Sequence, residues 1–410
     1  MSYEISDETR LIGESLIRFI ETEVIPLERQ NAALLSDERR TYDERGRYVK
    51  EILDLRRIVR TKSAQAGFYT MLAPAELGGG GLDAVAATYL QEAVAREYGP
   101  ERILIHPVVI PSPFTNGLSP VLTFLQPEPR ERYIASIASG EKSLCFALSE
   151  SGAGSDVFGI RTTARRDGEH WVISGSKQWI TNAPYADHAM VFAVTNPQKA
   201  AAREGGITGF FVDTNSPGFE VTSVIPVMGH LGGDTGIIAL DGVRVPDTHR
   251  LGDIDRGLNV AMHGINAGRL GMAATCIGLA EWGLSLTTQY SRDRKTFGKP
   301  ICEHQAIQMH LAETAMDIFA AKSVLMNCAQ RLDRGMTARA EIAITKAYAT
   351  EMLSRTMDRC IQIHGGMGLT NEVRLEAGYR FARTMRIPDG TGEIQRRTIA
   401  QELMKDRLAF

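Results

Sequence analysis

The sequence has almost no net charge: 46 Lys and Arg stand against 49 Asp and Glu, a balance of −3. It therefore lacks the basic field that gathers nucleic acid or coats an anionic membrane. Cysteine is scarce and scattered. Cys145, Cys276, Cys302, Cys328 and Cys360 form no CxxC pair and have no histidine at metal-ligand spacing, which argues against a disulfide framework and against a metal site. No uninterrupted apolar run reaches the ~18 residues of a membrane span. The opening MSYEISDETR is acidic where a secretory leader is basic. A reduced, soluble, cytoplasmic chain is expected. What is present is ample: 410 residues, 43% hydrophobic and 23% charged, enough for two or three domains with large cores. Glycine, at 39 residues, is in surplus.

The apolar periodicity changes twice. Up to residue 140 it is helical: Leu11, Ile12, Leu16, Ile17 and Ile20 make an amphipathic stripe, residues 47–66 and 83–97 continue it, and Glu76-Leu77-Gly78-Gly79-Gly80-Gly81 between them reads as a loop. From 141 to 248 short β-branched or aromatic runs alternate with Gly, Asp, Asn and Pro: Ser143–Leu148, His170–Ile173, His188–Thr195, Gly209–Val212, Phe219–Val224 and Ile237–Val243. From 249 to 410 the helical period returns, with Leu311, Ile318, Leu325 and Leu332 at seven-residue steps. The expected fold is α+β, mainly α: an N-terminal helical domain (1–140), a central antiparallel β-barrel-like domain (141–248) and a C-terminal four-helix-bundle domain (249–410). Without alternating β-α units, a Rossmann dinucleotide fold is disfavoured.

Four stretches have a composition that packing alone does not require. Ala147-Leu148-Ser149-Glu150-Ser151-Gly152-Ala153-Gly154-Ser155-Asp156 closes a strand with small residues that admit a flat ligand or phosphate to the backbone, or simply make a turn. Gln178-Trp179-Ile180-Thr181-Asn182 offers an aromatic beside a hydroxyl, or a buried strand Trp. Arg292–Pro300 is a basic loop able to hold a diphosphate, or a solvated connection between helices. Gln362-Ile363-His364-Gly365-Gly366-Met367-Gly368 stops a helix at glycines, as any C-cap does.

In this order and spacing the four stretches resemble the acyl-CoA dehydrogenase family of flavoproteins, over nearly the whole chain. Ala147–Asp156 with Gly159 looks like its first signature, Gln362–Glu372 like most of its second, Trp179–Asn182 like its flavin-contacting strand. Arg294–Gly298 followed by Gln305 looks like its diphosphate loop. The resemblance implies FAD. Phe146, Leu148, Ser149 and Gly154 would meet the flavin ring, Trp179 and Thr181 its other edge, and Ser155 either flavin or acyl-CoA. Arg294, Thr296, Phe297 and Gln305 would hold the diphosphate across a subunit interface. Gln362, Gly366, Thr391 and Glu393 would border the adenosine and ribose. It further implies a homo-oligomer, a dimer of dimers, with electron-transfer flavoprotein as electron acceptor.

Desaturating a thioester between its α and β carbons needs a base for the α proton and an acceptor for the β hydride. In the family the base is usually Glu in a Tyr-Glu-Gly-Thr stretch. Here that stretch reads Pro388-Asp389-Gly390-Thr391, so the resemblance assigns the base to Asp389, although Pro-Asp-Gly is also a turn sequence in its own right. The other position where relatives carry the Glu is Gly268, beside Arg269. Asn266, Arg269, Ser155 and Gly390 would border the substrate, with Asn266 where many relatives use Asp. Ala377, Phe381 and Glu393 also depart from the family pattern. Three activities share the resemblance: acyl-CoA dehydrogenation, an oxidase of the acyl-CoA or nitroalkane type, and DNA binding without catalysis, which the charge balance disfavours.

Overall fold

In the computed structural model, which describes residues 5–408, the periodicities become elements in the order helices, strands, helices. The N-terminal helices are α1 (Asp7–Phe19), α2 (Lys50–Gln65), α3 (Ala84–Tyr98) and α4 (Pro127–Ala138). Local chemistry sets the bounds of α3. The Asp83 carboxylate accepts the Ala86 backbone N–H at 2.7 Å, and Asp333 accepts those of Ala84 and Val85, so three orphan donors are satisfied. Gly99 ends the helix at φ +69°.

Eight strands follow: β1 (Leu144–Ala147), β2 (Thr163–Asp167), β3 (His170–Thr181), β4 (His188–Val194), β5 (Ile207–Asp213), β6 (Phe219–Val224), β7 (Thr235–Pro246) and β8 (Arg250–Leu251). They pair in the order β6-β7-β3-β2-β4-β5-β8, with β1 beside β4. The ladders are antiparallel except that β1 runs parallel to β4 and Thr163 of β2 pairs in parallel with Val194. Two strands intervene between β1 and β4, so no hairpin imposes the antiparallel sense. β4 and β5 are buried along nearly their whole length, and their alternation divides two cores. Met190, Phe192 and Phe211 face one; Ala189, Val191, Phe210 and Val212 face the other.

The C-terminal helices are α5 (Gly257–Asp293), α6 (Gln305–Asp333), α7 (Arg339–His364), α8 (Leu375–Met385) and α9 (Gly392–Leu403). Three of the four seam residues pack as expected: Ile318 and Leu325 are buried in a cluster with Ile277, Leu353 and Met357, and Leu332 packs against it, while Leu311 is half-buried outside that cluster. Several glycines that composition alone suggests as turn formers lie inside α5 instead. A Cβ at Gly278 would stand 2.3 Å from the Glu92 carbonyl, so α3 and α5 meet backbone to backbone there, and one at Gly271 would stand 2.5 Å from the Gln91 side-chain Oε1. Among the described residues α5 is the one helix long and apolar enough to cross a membrane, and 56% of its most apolar stretch is buried inside the fold.

Contacts divide the chain into two compact units. One contains the segment up to Ile17, Asp83–Arg102 and everything from Gly268 onward; the other contains Arg18–Leu82 and Ile103–Ala267. The first unit encloses a charged cluster: Glu92 of α3, 2% exposed, and Glu281 of α5 both accept from Lys322 of α6, with Arg96 3.6 Å from Glu281. Burial, then the neighbouring Glu281, pushes the Glu92 carboxyl up to about 7. A carboxyl raised above its unfolded value favours the fold fully below about pH 4.5 and loses that contribution as pH rises through about 7. Lys322→Met removes the compensating cation. We expect a loss of roughly 1–3 kcal/mol at pH 8, below the cost of breaking a fully buried pair because solvent reaches Lys322. Melting curves at pH 8 and pH 5 should show the larger fall in Tm at pH 8.

Candidate active site

In the second unit the structure gathers the first two motifs. Phe146 at the end of β1 packs between Phe114 and Phe192, with ring centroids 5.2 and 4.9 Å away. Leu148 is buried and Ser149 half-buried, while Gly154 and Ser155 are exposed. This loop is irregular backbone, held by one buried ion pair. Lys177 on β3, 0% exposed, donates to the Leu148 carbonyl at 3.0 Å and to Glu150 Oε1 at 2.8 Å. Glu150 also accepts the backbone N–H groups of Arg161 and Thr162, at 2.6 and 3.0 Å. The pair is ionised at neutral pH: Lys177 and the two N–H groups hold the Glu150 carboxyl below its usual range, and burial brings the ammonium down to about 8.

One residue further along β3 the Gln178 N–H donates to the Ser149 carbonyl at 3.0 Å, which ties the second motif to the first. Trp179 is not a buried strand residue. It stands 54% exposed at φ +66°, within the register shift between Lys177 and Ile180. A left-handed non-glycine residue costs about 1–2 kcal/mol, and here it turns an indole outward beside the exposed Thr181. Positions 152 and 154 have nothing within 4 Å of a built Cβ. An outward aromatic, two hydroxyls and open backbone fit a planar, hydrogen-bonding ring such as the flavin.

In the first unit Arg292–Pro300 is a small hairpin, β9 (Lys295–Thr296) against β10 (Lys299–Pro300), rather than a loose loop. Its two turn residues, Phe297 and Gly298, have φ of +51° and +83°, the left-handed pair that matches strand twist. Phe297 is 95% exposed at the tip, and Arg294 and Gln305 are exposed beside it. Gln362 and Gly366 lie exposed where α7 ends at Gly365, and Gly366 faces open space. These cations and this bare backbone fit a diphosphate and its nucleoside. Thr391 has a local task as well: its hydroxyl caps α9 by accepting the Ile394 N–H at 3.4 Å. Glu393 in the first turn is held below the usual carboxylate range by its own backbone N–H and by Thr391.

Between α8 and α9 the chain is clamped. Asp389 has φ +56° and Gly390 φ +92°, and three side chains of the same unit fix the pair. Arg269 Nε donates to the Asp389 carbonyl at 2.8 Å. Gln395 Nε2 donates to the carbonyls of Asp389 and Gly390, each at 3.0 Å, and Lys346 Nζ donates to the Gly390 carbonyl at 2.9 Å. A Cβ on residue 390 would lie 2.8 Å from Gln395 Nε2 and 3.3 Å from Arg269 Nη2, so these donors demand the glycine. Arg269 thus spends part of its fork on the loop, and Asn266 lies half-buried on α5. Part of Asp389 remains accessible. Burial nonetheless pushes its carboxyl up to about 6, against the pull of Arg269 and then Lys346.

Sequence reasoning missed Lys177, Lys346, Gln395 and Glu150. The signal for Lys346 is a lone cation inside the helical run Ile342-Ala343-Ile344-Thr345-Lys346-Ala347, on a face that is otherwise buried.

Three family models cover the chain: the acyl-CoA dehydrogenase N-terminal domain over residues 6–141, the middle domain over 145–243 and the C-terminal domain over 255–404. The chain is 34% identical over 400 residues to the 3-(aryl)acrylate reductase of Clostridium sporogenes, covering 98% of this chain and 99% of that one. It is 36% identical over 363 residues to the caffeyl-CoA reductase-Etf complex subunit CarC of Acetobacterium woodii, covering 88% and 92%. Among solved structures it resembles butyryl-CoA dehydrogenase from Megasphaera elsdenii, with a TM-score of 0.80, 27% identity and coverage of 98% and 100%.

Lys177→Met tests what holds the Leu148–Ser155 loop. It strands Glu150 without its buried cation, and we expect destabilisation of about 3–5 kcal/mol. Glu150→Gln/Lys177→Met, which removes both charges, should recover much of that loss. A double variant no more stable than Lys177→Met in urea unfolding contradicts the assignment.

Proposed function

The chain belongs to the acyl-CoA dehydrogenase family of FAD-dependent oxidoreductases, and from that premise we propose that it converts an acyl-CoA thioester to the trans-2-enoyl-CoA with Asp389 as the base. The observation that carries this reading is Asp389 itself: its carbonyl and that of Gly390 are held by three donor side chains in a left-handed backbone conformation, and burial pushes its carboxyl up to about 6. A Pro-Asp-Gly turn accounts for the left-handed backbone, but it requires neither two wholly buried donors nor a raised carboxyl. A base of that proton affinity is ionised at neutral pH and still accepts a proton readily. FAD, when bound, supplies the acceptor for the β hydride.

The chain's own part is then proton transfer and placement. The α C–H bond breaks, its proton passes to the Asp389 carboxylate, and its electron pair forms the α,β double bond as the β hydride leaves. Ser149, Trp179 and Thr181 orient the flavin ring, Arg294, Thr296 and Gln305 balance the diphosphate charge, and Asn266 and Ser155 border the thioester.

A second copy of the chain belongs to this reading. Met309, Met316 and Phe319 are exposed along α6, and Phe297 stands bare at the hairpin tip, so apolar surface is left over that a homo-oligomer would cover. Electron-transfer flavoprotein is the proposed electron acceptor, supported by the relative named as a subunit of an Etf complex. The same atoms run in reverse reduce an enoyl thioester, the direction in which two relatives are named. Aryl-substituted propionyl and acryloyl thioesters therefore belong in the substrate panel beside straight-chain acyl-CoA.

Asp389→Asn should slow flavin bleaching by acyl-CoA by about 10²–10⁴-fold while the bound FAD spectrum persists. In the unaltered protein the base is protonated below about pH 6, so the bleaching rate should fall about tenfold per pH unit on the acid side and level off above it. A variant that bleaches normally sinks the base assignment. In stopped-flow reoxidation, slow reaction with air and fast reaction with electron-transfer flavoprotein are expected; rapid peroxide formation would instead mark an oxidase.

A further inference from the structure

We infer that Lys346 is a positioning residue for the proton-transfer step: with Gln395 it forms a buried clamp that fixes the backbone of Asp389 and supplies the charge that keeps its carboxylate usable. This rests on the reading of Asp389 as the base.

The geometry is specific. The carbonyl of Asp389 is taken by Arg269 and Gln395, and the carbonyl of Gly390 by Lys346 and Gln395, so both peptide planes that follow the Asp389 Cα are held. With those planes fixed at φ +56°, the direction of the Asp389 Cα–Cβ bond is fixed too. Lys346 and Gln395 are each 0% exposed. An ammonium is a costly way to hold a carbonyl in the interior, because a neutral donor would do the same without burying a charge. Its charge has a further effect. Asp389 faces Arg269 and Lys346; Lys346 faces Asp389 and Glu393 on one side and Cys276 and Arg269 on α5 on the other. Burial drives the carboxyl towards its protonated form, and the two cations oppose that drift. Arg269 is held through its Nε on the backbone, which leaves the compact Lys346 as the cation that can be exchanged without freeing the Asp389 carbonyl.

The test is the pH profile of flavin bleaching in single turnover, on FAD-loaded protein. Lys346→Met should lower the plateau rate at least tenfold and move the kinetic pKa up by about one pH unit, with FAD content unchanged. Lys346→Arg, which restores the charge, should bring the pKa back. Gln395→Met removes a donor but no charge, so it should lower the rate and leave the pKa in place. A Lys346→Met profile that overlays the parent, or that loses rate without moving the pKa, overturns the inference. If Lys346→Met does not fold, Lys346→Gln takes its place with the same expected upward move of the kinetic pKa, and a folded Lys346→Gln whose profile overlays the parent overturns the inference.

An infrared titration of the Asp389 carboxyl band, identified against Asp389→Asn, reads the same shift without turnover. It separates the two hypotheses. Normal bleaching by Asp389→Asn removes the base assignment while leaving the clamp testable by its spectrum. A carboxyl band whose titration is unmoved in Lys346→Met removes the clamp while leaving the base.

Discussion

A buried ammonium donating to a loop carbonyl occurs in each unit of this protein, and each time the loop is one that carries candidate chemistry. Lys177 holds the Leu148 carbonyl at 3.0 Å and Lys346 the Gly390 carbonyl at 2.9 Å. Both lysines are wholly enclosed, and burial brings both ammonium groups down to about 8. Among the described residues neither the Leu148 nor the Gly390 carbonyl receives a backbone N–H from a strand or helix, so each must find a side-chain donor or remain unpaired. A lysine reaching from a regular element meets that need over four methylenes. The two differ in what balances the charge. Lys177 has a full ion pair with Glu150, which makes its loop a settled structural feature. Lys346 has a carbonyl, and Asp389 only as a neighbouring charge, so its electrostatics remain coupled to the proposed base.

This requirement explains why so much helix stands behind a short loop. Asp389 lies between α8 and α9, but its donors come from α5, α7 and α9. A displacement of α7 against α5 would break the clamp. The core that α5 and α7 share with α6, with Ile277, Leu325, Leu353 and Met357, is what keeps their spacing. On the other side of α5, glycine at 278 lets α3 approach to backbone contact, glycine at 271 makes room for the Gln91 side chain, and the Glu92–Glu281–Lys322 cluster spans α3, α5 and α6. Packing precision in the bundle is thus converted into the precision of one carboxylate.

Much of this was legible in the sequence because it is carried by local patterns. Most of the seam on α6 and strands β4, β5 and β6 follow from periodicity, since burial of one face or of a whole strand leaves a regular mark; the α1 stripe holds only in part, with Leu16 and Ile20 buried but Leu11 62% exposed. Strand β2 left none: Thr163-Ala164-Arg165-Arg166-Asp167 is a charged, largely exposed run whose strand character comes from pairing with β3. Trp179 was misleading in another way. Its neighbours are strand-like, so a buried face was the natural expectation, and only the left-handed backbone at the register shift turns it out. The candidate site was legible as motifs and illegible as support. Asp389, Arg269 and Gly390 sit in recognisable stretches, whereas Lys346 acts across 44 residues of sequence and Gln395 folds back from the first turn of α9, and a lone Lys in an apolar helix announces only that something must compensate it.

On the proposed reading Asp389 stands where the family usually has a glutamate base, and the support bears on that difference. An aspartate carboxyl sits one methylene closer to its own Cα, so it loses reach and one rotatable bond together. With a flexible glutamate, side-chain rotation can correct for backbone error. With Asp389, the carboxyl position follows almost entirely from where the backbone is held, and that backbone is in a conformation a free chain avoids. The shorter base therefore shifts the burden of aim from the side chain to the peptide. Two carbonyls held by three side chains are the physical form that burden takes. A catalytic group with little freedom of its own loses less entropy on reaching the reactive geometry, provided the rest of the fold has already fixed it in place.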